Sequence, residues 1–298
     1  MDIIQLRSFV MVAEVGSYVK AADILNISQP TLSRQVRILE LELRASLFYR
    51  HGRGVHLTER GKKFIEYARS VIHMMDEAIV SIRNTDAVYT GQLIVGLTPT
   101  IGRITIPNLA PILKEKFPLA SIWLTEGLSG ALHEKVLLGQ VDLAVVYSPA
   151  SSPHLTIDPL ATEQLYLVGA EPAGDGGLEI PLQDVACLPL ILPHSNQWTR
   201  PAVETAAARL GLHLNIELEI DSTISAAEIV ARGGGYLIIQ GGVQKLKTFP
   251  KLSWQKISNP CLESTISLIT SVKQPRSQLS QAAEVVIKET ILESYSHI

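Results

Sequence analysis

Polar side chains that can contact the edges of DNA bases are concentrated in the segment "ISQPTLSRQVRILELEL", residues 27–43. Glutamine can form two hydrogen bonds with adenine and arginine two with guanine, while serine and threonine can bond bases or phosphates. Leu32, Val36 and Leu39 recur at spacings that place them together on one face of a helix. We therefore predict that the residues on the outer faces contact DNA: Ser28, Gln29, Pro30, Thr31, Ser33, Arg34 and Arg37.

The flanking sequence predicts the elements that hold this helix. Apolar residues at positions 6, 9, 10 and 13 indicate a first helix, and Ser17 and Ser28 are the expected N-caps of a second and a third. Two short strands around "HGRG" then place Arg53 at a hairpin tip, where it can enter a minor groove or bind the phosphate backbone. Helix, turn, helix and hairpin form the winged helix-turn-helix layout. A solvated amphipathic helix is the alternative, but the cap, the hairpin and the arginines together favour DNA contact.

Hydroxyl-bearing loops follow several predicted strands in the rest of the chain. Ligands of open α/β sheets bind beyond the carboxyl ends of the strands, and hydroxyls with free N–H groups at helix starts favour a small anion such as a carboxylate. For each residue alone, simple capping of the next helix is an equally good explanation. Because five such loops come from two lobes, we predict an effector pocket lined by Thr98, Pro99, Thr100, Ser129, Gly130, Ser148, Ser195, Asn196 and Thr223.

The elements that would position these two sites differ in pattern along the chain. Apolar residues at 64, 68, 71, 75, 78 and 82 form a heptad seam in one long helix, which requires a partner helix. From residue 91 onward, strands alternate with helices, which predicts parallel sheets covered on both faces. We expect a winged helix-turn-helix domain (1–58), a linker and dimerisation helix (59–90) and an effector-binding domain (91–298), with lobe I at 91–162 and 268–298 and lobe II at 163–267.

Composition limits the classes of function. No apolar run reaches the roughly 18 residues of a membrane span, and the first residues lack a signal-peptide pattern, so we expect a cytoplasmic protein with no membrane contact. The net charge of −3 hides a split, since residues 1–60 hold eight basic and six acidic residues and residues 91–298 hold fourteen and nineteen. No nucleophile with its base, nucleotide loop or metal-ligand spacing is present, which predicts a protein that is not an enzyme and needs no cofactor or metal. Cys187 and Cys261 are expected to be buried thiols.

The segments "QLRSFVMVAEVGSYVKAADILNISQPTLSRQVRILELEL" and "LFYRHGRGVHLTERG" closely resemble the amino-terminal domain of LysR-type transcriptional regulators. This resemblance covers essentially residues 1–65. Farther along, "GQVDLAVVY" is similar to a strand of that family's effector-binding region, and its surroundings look nearest to the branch of nitrogen-assimilation and aromatic-catabolism regulators. One departure is Gln240, which stands where the family commonly has a proline.

The resemblance implies a mixed fold, in which an all-α winged helix-turn-helix domain and a long linker helix precede an α/β, two-lobed, periplasmic-binding-protein-like effector domain. It implies that Gln29, Pro30, Thr31, Ser33 and Arg34 face the groove, that Arg53 lies in the wing, and that Thr98, Thr100, Ser129 and Ser195 line the pocket. The implied partners are double-stranded DNA with an interrupted palindromic operator, a small-molecule effector, RNA polymerase, and further copies of the chain as a homodimer through the linker helix and a homotetramer.

We interpret the chain as a DNA-binding transcriptional regulator whose operator binding and DNA bending respond to a small anionic effector. A regulator of the same fold that needs no effector is the first alternative. A cytosolic small-molecule binding receptor is the second, and the DNA-contacting segment argues against it.

Overall fold

The computed structural model describes residues 1–51, 54–83, 89–195, 197–246, 252–274 and 276–296. The chain divides into two compact units, residues 1–91 with 138–140 and residues 92–137 with 141–298. Two of the candidate binding residues, Arg53 and Asn196, lie outside the described residues.

The first unit is built from helices and one hairpin. Its elements are α1 (Ile3–Val15), α2 (Tyr18–Ile24), α3 (Gln29–Leu43), β1 (Phe48–His51), β2 (Gly54–Leu57) and α4 (Glu59–Arg83). The two strands pair antiparallel, from Phe48 opposite Leu57 to His51 opposite Gly54.

Local sequence signals explain where these helices begin and end. Asp2 and Gln5 form a capping box at the start of α1, and Gly16 ends that helix in the left-handed conformation that glycine adopts without strain. The side chains of Ser17 and Ser28 accept hydrogen bonds from backbone N–H groups at the starts of α2 and α3, as the sequence predicts.

The long helix α4 is divided between two environments. Ile65 and Ala68 are buried in the core of the first unit, so the beginning of the predicted heptad seam packs within the same chain. Four other apolar side chains of α4 are between 37% and 50% exposed: Tyr67, Val71, Met75 and Ile79. Two of them, Val71 and Met75, belong to the predicted seam and are exposed within one chain.

The second unit contains the remaining strands and helices. In chain order these are β3 (Gly91–Leu97), α5 (Pro99–Lys116), β4 (Ala120–Glu126), α6 (Ser129–Leu138), β5 (Leu143–Tyr147), β6 (Leu155–Gly169), β7 (Glu179–Pro181), α7 (Leu182–Val185), β8 (Leu190–Leu192), α8 (Thr199–Arg209), β9 (Ile216–Glu219), α9 (Thr223–Ala231), β10 (Tyr236–Gln240), a 3-10 helix (Gly241–Lys245), β11 (Ser253–Ser258), β12 (Glu263–Ser271) and α10 (Gln278–Tyr295).

The strands form one continuous path in the order β4-β3-β5-β12-β6-β10-β8-β9, with β11 beside β6 and β7 beside β11. The expectation of purely parallel sheets is wrong. β3 and β5, β8 and β10, and β8 and β9 pair parallel, but β12 pairs antiparallel with β5 and β6, and β6 pairs antiparallel with β10 and β11. The long strands are antiparallel because the chain leaves one part of the unit along β6 and returns along β12.

The long strand β6 divides the second unit into two lobes. Its residues up to Gln164 pair with β12, whereas Leu165 and the residues after it pair with β10 and β11. We call the part with β3, β4, β5 and β12 the first lobe, and the part with β7 to β11 the second lobe. β6 and the short link between β11 and β12 are therefore the two connections at which the lobes can hinge.

Candidate functional site

The start of α3 presents a polar surface to solvent. Ser28, Gln29, Pro30, Thr31, Arg34 and Arg37 are exposed and Ser33 is half-buried. The Ser28 hydroxyl lies 2.7 Å from the Thr31 hydroxyl and accepts the backbone N–H of Thr31 at 3.3 Å. These contacts hold the first turn of the helix while its outer side chains remain free to meet another molecule.

The opposite face of α3 anchors the helix. Leu32, Val36 and Leu39 are each fully buried in the core of the first unit. Near the end of the helix, the Glu40 carboxylate accepts the backbone N–H groups of Leu47 and Phe48 at 2.7 and 3.3 Å, which fixes the entry into the hairpin. The polar face therefore has a defined orientation. A helix that recognises DNA bases by their edges requires such an orientation.

The hairpin is joined to the end of α1. The backbone N–H of Val55 donates to the carbonyl of Gly16 at 3.2 Å. Within the described residues, no carboxylate forms an ion pair with Arg34 or Arg37, so both guanidinium groups are available for phosphate or base contacts. The position of Arg53 stays a prediction.

A cavity of about 350 Å³ lies in the second unit, lined by residues of both lobes. The first lobe contributes the start of α5, the end of β4, the start of α6 and Tyr147 at the end of β5. The second lobe contributes the starts of α8 and α9, the end of β10 and part of the 3-10 helix.

Four helices begin at the wall of this cavity. Pro99 of α5, Ser129 of α6, Thr199 of α8 and Thr223 of α9 are all lining residues at or next to the first position of their helices. The first N–H groups of a helix have no partner within it and carry a partial positive charge. The lining thus includes the first residue of each of four helices.

Thr98 is the polar side chain best placed to meet a ligand. It is the N-cap of α5 but makes no side-chain capping bond, and its hydroxyl is buried without a partner among the described residues. The helix α5 begins at Pro99. Thr98 and Thr100 therefore stand at the helix start itself.

Charged side chains around the cavity have both signs. Arg103, Glu126 and Asp221 line it, and all three are exposed. One Asp221 oxygen accepts the His194 N–H at 3.0 Å and the Gln197 amide at 2.8 Å, so this carboxylate also shapes its own loop. The lining therefore combines four helix starts with charged side chains of both signs.

The nine predicted pocket residues are distributed unequally. Thr98, Pro99, Thr100, Ser129 and Thr223 line the cavity, whereas Gly130, Ser148 and Ser195 are not among its described lining residues. Ser148 instead exchanges hydrogen bonds with Thr265 on the neighbouring strand, where its hydroxyl accepts the Thr265 N–H at 3.1 Å and its own N–H donates to the Thr265 carbonyl at 2.7 Å.

Sequence reasoning missed several lining residues. Gln240 donates to the Thr199 hydroxyl at 3.0 Å, and Tyr147 and Trp198 form apolar and aromatic parts of the wall. Arg103 could have been found by helical periodicity, because it lies one turn after Pro99. Tyr147 and Gln240 are each the last residue of a strand, the position at which ligands of open α/β sheets bind.

Three expectations concern sites other than the cavity. Cys187 and Cys261 are both exposed free thiols, so the expectation of buried thiols is wrong. Cys187 follows the short surface helix α7, and Cys261 lies in the turn between β11 and β12, where neither side chain reaches a core. Across the described ranges, no group of three metal-ligating side chains occurs, and no helix is long and apolar enough to cross a membrane.

Two family models match the chain. The model described as LysR substrate binding domain matches residues 87–290, and the model of the bacterial regulatory helix-turn-helix protein, lysR family, matches residues 3–62. The nitrogen assimilation regulatory protein Nac of Klebsiella aerogenes is 31% identical over 96% of this chain and 94% of its own length. The transcriptional regulator BbuR of Bordetella bronchiseptica is 34% identical over 91% of this chain and 84% of its own length. These relatives are regulators, not enzymes.

Solved structures have the same fold over nearly the whole chain. A variant of full-length OxyR from Pseudomonas aeruginosa superposes with a TM-score of 0.71 at 22% identity, covering 98% of this chain and 94% of that one. Full-length CbnR in complex with its target DNA gives 0.69 at 24% identity, covering 99% and 100%. With an amino-terminal helix-turn-helix and a two-lobed α/β domain that both match, the chain belongs to the LysR family of DNA-binding transcriptional regulators.

Proposed function

We propose that the chain recognises an operator through the start of α3, with the wing residue Arg53 as an additional contact to the minor groove or the phosphate backbone. The observation that supports this is the division of α3 into a buried face of Leu32, Val36 and Leu39 and an exposed polar beginning. The proposed DNA contacts are Ser28, Gln29, Pro30, Thr31, Ser33, Arg34, Arg37 and Arg53. A protein that acts on chromosomal DNA in this way works in the cytoplasm.

Footprinting of the DNA upstream of the chain's own gene tests this proposal. Protection should cover an interrupted palindrome, because two copies related by a two-fold axis read two half-sites. A footprint without symmetry, or protection that is lost equally at all sequences with rising salt, would indicate binding to the phosphate backbone alone.

We infer that the cavity takes a small effector with a carboxylate or other anionic group. The convergence of four helix starts on one cavity carries this inference, and the unpartnered hydroxyl of Thr98 supplies a hydrogen-bonding group beside them. The candidate contacts are Thr98, Pro99, Thr100, Ser129 and Thr223 within the lining, with Gly130, Ser148, Ser195 and Asn196 as the remaining sequence-based candidates.

Calorimetric titration with small carboxylic acids and their uncharged amides tests the anion requirement. Acids should bind and the matching amides should not, since an amide lacks the charge that the helix starts stabilise. If no acid bound and operator binding were unaffected by any of them, a regulator that needs no effector would be the better description.

Pairing of two chains through α4 is also part of the proposal. On α4, Val71 and Met75 of the predicted heptad seam and Ile79 beside it are exposed apolar residues, and a second helix would bury them. Contacts between effector-binding domains would join two dimers into a tetramer bound to one operator.

The proposed mechanism is a shift between two assemblies. An effector that binds more tightly when the lobes are closed favours that state, and by changing the spacing of the DNA-binding heads it changes the DNA bend and the access of RNA polymerase. In this mechanism the lobes would move about the two chain connections between them, β6 and the link before β12.

A further inference from the structure

A buried carboxylate lies directly behind the cavity. Glu163 is 1% exposed and is located on β6, two residues before that strand changes its partner from β12 to β10. One of its oxygens accepts the backbone N–H of Gly242 in the second lobe at 2.5 Å. A single side chain therefore joins the crossing strand to the 3-10 helix of the other lobe.

Hydroxyl groups from the first lobe surround the same carboxylate. Ser264 is paired with Glu163 across β12 and β6, and Tyr147 is paired with Ile266 across β5 and β12. Because paired residues and alternate residues of a strand share a face, Tyr147, Ser264 and Glu163 project from one face of the sheet. Tyr295 at the end of α10 completes the buried cluster.

Hydrogen bonding in this cluster is incomplete. Glu163 Oε1 and the hydroxyls of Tyr147, Tyr295 and Ser264 are buried, and none completes a hydrogen bond of regular geometry with a described group. A buried polar atom without a partner costs free energy and needs a specific reason to persist in a folded protein. A protonated carboxyl could donate to a neighbouring hydroxyl, whereas an ionised one would leave a buried charge in the cluster.

Two walls of the cavity contain a residue that belongs to this cluster or is bonded to its neighbour in the chain. Tyr147 lines the cavity from the first lobe, and Val243, which follows Gly242 directly, lines it from the second lobe. Gly242 has no room for a larger residue, because a Cβ there would lie 2.7 Å from Glu163 Oε2 and 2.9 Å from the Tyr295 ring. A change at Glu163 can therefore alter the positions of Tyr147 and Val243, although Glu163 is not among the described lining residues.

We propose that Glu163 is a positioning residue of the ligand cavity, which lies beside Tyr147 of one lobe, bonds Gly242 of the other, and loosens this joint when it loses its proton. The proposal rests on the proposed function only in so far as the cavity is the effector site. The experiment that tests this proposal needs no effector, so its failure can be distinguished from a failure of the proposed effector site.

The electrostatic surroundings support a proton-dependent role. Burial raises the pKa of the Glu163 carboxyl, and the Gly242 N–H, the Tyr147 hydroxyl and the Lys245 ammonium oppose this rise. Burial also raises the pKa of Tyr147 and Tyr295, so both phenols stay neutral. Lys245, the cation among these groups, lies over the Tyr295 ring and donates to the Ser294 carbonyl.

If the Glu163 carboxyl has a higher pKa when the joint is closed than when it is open, its protonation at low pH stabilises the closed joint. That stability is complete below the open-state pKa and is lost as the pH rises through the closed-state pKa. Opening of the joint should therefore become easier as the pH rises between these two values, by about ten-fold per pH unit for one proton.

Hydrogen exchange of the full-length protein, followed by mass spectrometry from about pH 5 to about pH 8, measures this opening. After correction for intrinsic exchange, the peptides that contain Gly242 and Tyr147 should exchange faster with rising pH, by up to about ten-fold per unit. In Glu163→Gln, whose amide is neutral at every pH and can both donate and accept, the corrected rates should be constant. Glu263→Gln changes an exposed carboxylate on the neighbouring strand β12 and should behave like the wild type.

A purely structural role would change exchange equally at every pH, so parallel pH profiles for the wild type and Glu163→Gln would overturn the proposal. If Glu163→Gln does not fold, Tyr147→Phe provides the second test. Loss of its hydroxyl removes a group that lowers the pKa of Glu163. The pH range over which exchange becomes faster should therefore move to higher pH. If this range were the same as in the wild type, the proposal would be overturned.

Discussion

The side-chain amide of Gln240 donates a 3.0 Å hydrogen bond to the hydroxyl of Thr199, and both side chains are buried. This bond joins the end of β10 to the start of α8 within the wall of the cavity. A proline at position 240 would have no side-chain donor for this contact.

Replacement of Gln240 by leucine should destabilise the second unit. The Thr199 hydroxyl would lose its donor in a buried position, which costs about 1–3 kcal/mol of unfolding free energy. Chemical denaturation followed by circular dichroism measures the change. Gln281→Leu is the control, because Gln281 is exposed and its side-chain amide donates to the Arg276 carbonyl in an exposed position, so its change should stay within about 0.5 kcal/mol. Equal losses in both variants would mean that the buried bond contributes nothing specific.

Replacement of Arg34 by alanine should weaken operator binding by about 1–3 kcal/mol and relax the base preference at one position. Arg34 is exposed at the start of α3 and has no ion-pair partner among the described residues, so its guanidinium can form two hydrogen bonds with a base. Fluorescence anisotropy with operator and random duplexes separates the two effects. Arg209→Ala, an exposed arginine on α8, should bind like the wild type. If the affinities of Arg34→Ala for both duplexes fell equally, Arg34 would be only a phosphate contact.

Replacement of Met75 by glutamate should separate paired chains. Met75 is 42% exposed on α4, and in the proposed helix pair a carboxylate there would have to be buried. We expect the dimer dissociation constant to rise at least about ten-fold, as measured by sedimentation equilibrium. Lys63→Glu, on an exposed polar position of the same helix, keeps the seam intact and should leave association unchanged. Unaltered association of Met75→Glu would remove α4 as the pairing element.

Replacement of Thr100 by alanine should reduce the response to an acid effector while operator binding stays intact. Thr100 lies in the first turn of α5 at the cavity wall, and a hydrogen bond from its hydroxyl to a carboxylate is worth about 1.5–3 kcal/mol. Induction of a reporter gene by a panel of small carboxylic acids measures the response. Thr205→Ala, on an exposed position of α8 outside this cavity, is the control. Unchanged induction in the Thr100 variant would exclude this residue from the pocket.

The first unit was predictable because its signals are local. Ser28 caps α3 through a neighbouring N–H, and Leu32, Val36 and Leu39 define a buried face by helical spacing alone. The same spacing leaves the polar residues outside. No contact between distant parts of the chain is needed to identify either face.

The cavity depended on contacts that spacing does not reveal. The sequence placed hydroxyls at the ends of strands, but Thr98 faces the cavity whereas Ser148 bonds Thr265 on the adjacent strand. The difference arises because β12, from far along the chain, inserts between β5 and β6. The order of the strands therefore determines which hydroxyl is hydrogen-bonded within the sheet and which one faces the cavity.

By itself, the sequence determined the helix-turn-helix, the exposed polar face of α3, and the family, because these follow from residues within a few turns of one another. Only the tertiary structure decided which loops share one cavity, that the long strands run antiparallel, and that Glu163, Tyr147 and Gly242 meet where the lobes join. These residues are distant in the chain and are brought together by the crossing of β6 and β12, which local periodicity cannot encode.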